Sequence, residues 1–201
     1  MNVTLVASFL MAVLVLFLPR RQAVPAALLG IWAYSLLSGF DAPIVRAAIM
    51  GSIAFSAQAL GKLSSAARAL ALSALTMLII WPQWLTDLGF ILSFVATASL
   101  ILFERRVARL VRFVPGIFRE GFSTSLAAQI GVAPILFATF GQFNLLSPVI
   151  NALILWTVPA ITIVGGIGGM IGLTVPFLGK LILLLTYPLT SWFIWIVNLF
   201  A

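Results

Sequence analysis

The sequence predicts an all-α fold: a polytopic membrane helix bundle of about eight transmembrane spans. Three observations carry that reading. Hydrophobic residues make up 63% of the 201 residues and charged residues 7%, against roughly 25% charged in a water-soluble domain. Apolar runs of about 17 to 24 residues recur, the length a helix rising about 1.5 Å per residue needs to cross roughly 30 Å of hydrocarbon. The charges fall almost entirely in the gaps between those runs. Residues 1–201 therefore read as one membrane domain.

The spans are expected in order at 2–18, 23–40, 43–60, 66–82, 84–103, 121–140, 148–171 and 176–199. The first lacks a positive n-region and an Ala-x-Ala-like cleavage site ahead of Arg20 and Arg21, so it reads as a retained helix and not a signal peptide. The second and third join through a tight turn at Gly39, Asp41 and Pro43. The fourth and fifth meet at Trp81, Pro82 and Trp84, a helix breaker flanked by interfacial aromatics. The seventh contains Pro159 and the eighth Pro188. Interruptions at membrane depth survive only where protein or a water-lined cavity satisfies the freed carbonyls. Some spans are thus expected to be broken or re-entrant.

Charge placement orients the bundle. Arg20, Arg21, Lys62, Arg68, Arg105, Arg106, Arg109, Arg112, Arg119 and Lys180 all fall in odd-numbered loops, which is 10 of the 11 basic residues. The positive-inside rule makes that side cytoplasmic and places both termini outside. The 104–120 segment is predicted to be an amphipathic helix broken near Pro115 and Gly116. Val107, Leu110, Val111, Val114 and Phe118 recur on one face, and Arg105, Arg106, Arg109 and Arg112 occupy much of the rest. Such a helix lies on an anionic leaflet; its other reading is a contact for a cytoplasmic partner or an emerging nucleic-acid strand.

The chain has no His and no Cys. That removes disulfides, thiolate and imidazole metal sites and His-based triads. The four acids are scattered, so no metal, cofactor or catalytic constellation is expected. No strand precedes the Gly165–Gly172 cluster and no Lys-Ser/Thr follows it, so it is not a phosphate loop. Its overlapping Gly-xxx-Gly patterns point to a close helix–helix contact, or else to a kinked constriction.

The polar groups kept at membrane depth are the candidates for function. Arg46 is the one basic residue outside the segregated loops. With Asp41 within two turns it reads as an interfacial ion pair or as a charge lining an aqueous path; its planar fork suits phosphate. Asp87 reads as an N-cap, or as a partner for Arg46. Gln129, among Ser123, Ser125 and Gly131, reads as inter-helix glue or a path-lining amide. The loop carrying Gly141, Gln142 and Asn144, followed by Asn151, is polar and aromatic-rich, fit for contacts to bases or for a plain interfacial turn.

Three stretches together resemble the membrane competence domain of ComEC-type DNA-uptake proteins. They are Ser38 to Met50, Pro82 to Phe94, and Ser125 to Asn151 with its Ala-Ala-Gln129, Ala133-Pro134, Phe140-Gly-Gln-Phe143 and Ser147-Pro148 patterns. The resemblance implies passage of single-stranded DNA across the cytoplasmic membrane in natural transformation. By position it carries over Arg46, Asp87, Gly89, Phe90, Ser93, Phe94, Gln129, Pro134, Gly141 and Asn151. Ile91 departs from the family pattern, which commonly has Gln there. The family's OB-like and metallo-β-lactamase-like domains do not fit in this chain. It therefore reads as a truncated member, one piece of a split system, or a reduced relative. A strand crossing hydrocarbon needs weak, many-site polar and positive contacts. Eight helices build a wide pore poorly, so a homo-oligomer is expected. So are separate nuclease, DNA-binding receptor and ATPase subunits, because the chain has no P-loop. The rival readings are a transporter or exporter of another solute and a non-transporting scaffold.

Overall fold

The computed structural model describes residues 19–61, 63–141 and 146–200, with isolated positions 11 and 14. The predicted span at 2–18, Lys62, and the candidates Gln142 and Asn144 lie outside the described residues. Among the described residues every regular element is helical. They are α1 (Arg20–Leu37), α2 (Ala42–Ala59), α3 (Ala66–Ile80), a 3-10 turn (Pro82–Thr86), α4 (Leu88–Leu110), α5 (Gly116–Phe140), α6 (Ser147–Leu155), α7 (Thr157–Thr174), α8 (Pro176–Leu184) and α9 (Tyr187–Phe200). The chain forms two compact units, Met1–Leu102 and Phe103–Ala201.

Large apolar side chains cover the outside, and small hydroxyl residues are among those buried. Leu29, Leu37, Leu72, Ile79, Leu102 and Leu173 are exposed, while Ser35, Ser73, Ser99, Ser123 and Thr157 are buried. Small hydroxyl residues let helices approach closely, and large apolar side chains are left to face lipid. This is a helical membrane protein.

The count of about eight spans is looser than the structure. Among the described residues four helices are long and apolar enough to cross a membrane: Ala42–Ala59, Leu88–Leu110, Phe118–Phe140 and Thr157–Thr174. A fifth arises if α8 and α9, bent by 50°, form one broken span. The stretches expected at 23–40 and 66–82 hold shorter apolar helical segments, Gln22–Leu37 and Ala66–Ile80. In α3 the cause is local. Trp81 turns extended, with φ −131° and ψ 77°, ahead of Pro82, which has no N–H to continue the ladder. The resulting 15 residues span about 22 Å at 1.5 Å each.

Two further elements differ from expectation. In place of a separate surface helix over 104–120, α4 runs unbroken from Leu88 to Leu110 and α5 starts at Gly116. Nothing between Leu100 and Leu110 breaks a helix, so the arginines extend a span, and the break falls at Pro115 as the sequence suggests. The segment expected as one span over 148–171 is two helices, with Trp156 between α6 and α7. Pro159 and Pro188 sit in the first turns of α7 and α9, where a missing N–H costs nothing.

Candidate functional site

In the first unit the start of α2, the end of α3, the 3-10 turn and the start of α4 converge. Ala42, Val45, Met77 and Phe90 form the buried centre, with Phe40, Trp81, Trp84 and Phe94 packed on it. The Ser38–Asp41 turn feeds this cluster. Gly39 has φ 90° and Phe40, unusually for a residue with a Cβ, has φ 60°. The Phe40 ring lies between Trp32, at 6.2 Å, and Trp81, at 5.9 Å, and Trp81 stacks on Trp84 at 4.6 Å. Those aromatic contacts hold Phe40 in the left-handed region.

Arg46 sits one turn inside α2, half-buried. Its Nε donates to Ser93 Oγ at 2.6 Å, across to α4. Its Nη1 points at Met50 Sδ at 3.3 Å, one turn further along α2. Its Cζ lies 6.0 Å from the centre of the Phe94 ring, and Phe94 packs 4.3 Å from Phe90. A hydroxyl, a thioether and a ring thus take up the cation, with no carboxylate among these partners. Guanidinium has five N–H donors, and two are used here, one of them on a weak sulfur acceptor.

Asp87 does not reach for Arg46. Its Oδ1 accepts the Phe90 N–H at 2.7 Å and caps the start of α4. A Cβ placed on Gly89 would stand 3.1 Å from that same Oδ1 and 3.6 Å from Pro43 Cδ. Glycine there leaves room for the cap. Asp41 occupies the N-cap position of α2 but makes no side-chain cap bond. Asp41 and Asp87 both line a cavity of about 310 Å³ together with Phe40, Pro43, Trp84 and Gly89.

The second unit holds the other candidates. Asn151 Nδ2 donates to Ser125 Oγ at 2.7 Å. A Cβ on Gly121 would lie 3.3 Å from Ala152 Cα, so α6 packs along the N-terminal half of α5. Asn151 is the fifth residue of α6, the short helix that follows the 142–145 segment. Gln129 is half-buried on α5 and Pro134 lies within the same helix. Gly141 closes α5 in the left-handed conformation, φ 65°, its N–H returning to Phe137 O at 3.0 Å, which glycine adopts without the Cβ penalty. Arg105, Arg106, Arg109 and Arg112 are exposed at and just beyond the end of α4. Arg119 donates from Nη2 to Ala108 O at 2.8 Å, a cation on the last carbonyls of that helix. The candidates therefore divide between the two units. Asp41, Arg46, Asp87, Gly89, Phe90, Ser93 and Phe94 belong to the first, and Gln129, Pro134, Gly141 and Asn151 to the second.

Met50, Phe40 and Trp84 escaped selection by sequence. Met50 lies four residues beyond Arg46, a spacing that puts two side chains on one helix face, and that signal was available. The contacts of Phe40 depend on the fold of a turn.

A bundle of membrane-length helices that holds a cation among neutral partners defines a polytopic membrane protein with a polar site inside it. The chain belongs to the Competence protein family, whose model matches residues 1–201. It is 31% identical over 134 residues to ComE operon protein 3 of Bacillus subtilis (strain 168), an alignment covering 67% of this chain and 17% of that protein. The resemblance to ComEC-type competence domains read from the sequence is thereby supported. No solved structure matches.

Proposed function

We infer that this chain is an integral membrane component of competence DNA uptake, and that a single DNA strand passes through it across the cytoplasmic membrane. The observation that carries the reading is Arg46: a cation on the membrane-length helix α2, held by Ser93, Met50 and Phe94 with no acid among them. Ionisable residues at membrane depth usually face a partner or an aqueous path. A phosphodiester supplies the missing anion, and the fork of Arg fits its two oxygens. Membership of the Competence family supports the same substrate.

The charge pattern supports an orientation. Arg46 stands toward the face predicted to be outside, and Arg105, Arg106, Arg109 and Arg112 toward the cytoplasm, where they receive the emerging strand. No catalytic step is assigned to this chain. A separate nuclease, a DNA receptor and an ATPase supply strand degradation, capture and energy, and a homo-oligomer widens the path.

The test is transformation of a strain carrying Arg46→Gln, with the membrane level of the protein measured in parallel. Uptake is expected to fall at least tenfold at unchanged abundance. Unchanged uptake would remove Arg46 from the path.

A further inference from the structure

The cavity one turn from Arg46 is used by nothing so far. It measures about 310 Å³, at the bottom of the range for small-ligand pockets, which suits one planar ring system. Two aromatic side chains, Phe40 and Trp84, lie on its wall. Both belong to a continuous run of rings, Trp32–Phe40–Trp81–Trp84, with centres 4.6 to 6.2 Å apart. Two carboxylates, Asp41 and Asp87, complete it. One oxygen of Asp87 is committed to the Phe90 N–H, while Asp41 makes no capping bond. Gly89 keeps the wall open, since a Cβ there would approach Asp87 and Pro43. Phe40 stands at φ 60°, with its ring between Trp32 and Trp81.

We propose that this cavity is a nucleobase pocket, and that a base of the passing strand stacks on Trp84 and Phe40 while its exocyclic amine donates to Asp41. The proposal rests on the DNA-passage reading above and adds the group recognised. Aromatic stacking accepts every base, because each has a π-face. The carboxylates add a bias: cytosine and adenine offer an amino group, a donor that Asp accepts. Thymine offers one ring N–H between two carbonyls, which the carboxylates repel. The same acids keep phosphate out of the cavity and leave it to Arg46, so the strand is held base inward and backbone toward α2.

The ligand side of the interaction gives a test that needs no variant. The full chain in nanodiscs is titrated with fluorescent oligonucleotides of one length: oligo-dC, oligo-dA, oligo-dT and an abasic strand. The expected order of affinity is dC and dA first, then dT, then abasic. The abasic strand should bind at least about fivefold weaker than dT, the low end of what one stacked base contributes. Trp84→Ala should abolish the gap between dT and abasic, and Trp84→Phe should keep it. Asp41→Asn should remove the preference for dC over dT. Equal binding of all four strands, with Arg46→Gln still weakening each, would overturn the pocket and leave the passage reading intact. Failure of every strand to bind would overturn both.

Discussion

At Arg46 the physical question is how a guanidinium is held inside a membrane-length helix with no carboxylate partner among the described residues. A cation at a helix centre costs about 2.5–3.5 kcal/mol on insertion scales. Position five of α2 lessens that, and Ser93, Met50 and Phe94 offset part of the rest. Lysine cannot donate to Ser93 from an Nε and still present a planar fork. Arg46→Lys should therefore lose most of the uptake lost in Arg46→Gln, a comparison that separates fork geometry from charge. Asp87 works differently, through the Phe90 N–H. Asp87→Ala should destabilise by about 1 kcal/mol and Asp87→Ser by far less, read as thermal melting in detergent. Both residues were legible in the sequence, Arg46 as the outlier of the charge pattern and Asp87 as a cap ahead of a helix. The partners of Arg46 were not. Ser93 lies 47 positions away and meets Arg46 only through the rotation of α4 against α2.

The breaks and the close approaches decide the elements. Pro82 and Pro115 each end a helical run in sequence and in structure, and Pro176 opens α8. The α6–α7 break was not legible in place, because Pro159 is tolerated two residues into α7 and the chain turns at Trp156. The glycine cluster was legible as a helix contact. A Cβ on Gly168 would stand 3.1 Å from Ile182 and Leu183. One on Gly179 would meet the Gly172 backbone, with its nitrogen 2.7 Å away. Gly165 and Gly169 have nothing within 4 Å. Gly179→Val should therefore force α7 and α8 apart and lower membrane abundance severalfold, while Gly169→Ala should leave it unchanged. Immunoblots of membrane fractions decide this. The Asn151–Ser125 bond should contribute about 0.6 kcal/mol, typical of polar pairs between membrane helices, so Asn151→Ala should lower the melting temperature only slightly.

For the whole molecule, composition gave the class at once: 7% charged residues and long apolar runs leave only a helical membrane protein. The span count was less legible, since the apolar stretches Gln22–Leu37 and Ala66–Ile80 are short. Hydropathy cannot tell a short span from a helix packed at partial depth. The arginines predict an orientation. The absence of cysteine makes it testable, because a single Cys can be introduced anywhere. Ser38→Cys should react with an impermeant thiol reagent from outside intact cells and Arg112→Cys only after permeabilisation; the reverse pattern would invert the predicted topology. The central claim is that a strand passes beside Arg46. Its most direct test is a photo-crosslinking residue at Phe94, activated while labelled DNA is being taken up. The account predicts a crosslink between this chain and single-stranded DNA, lost in Arg46→Gln. Normal uptake with crosslinks to lipid or protein alone would contradict it.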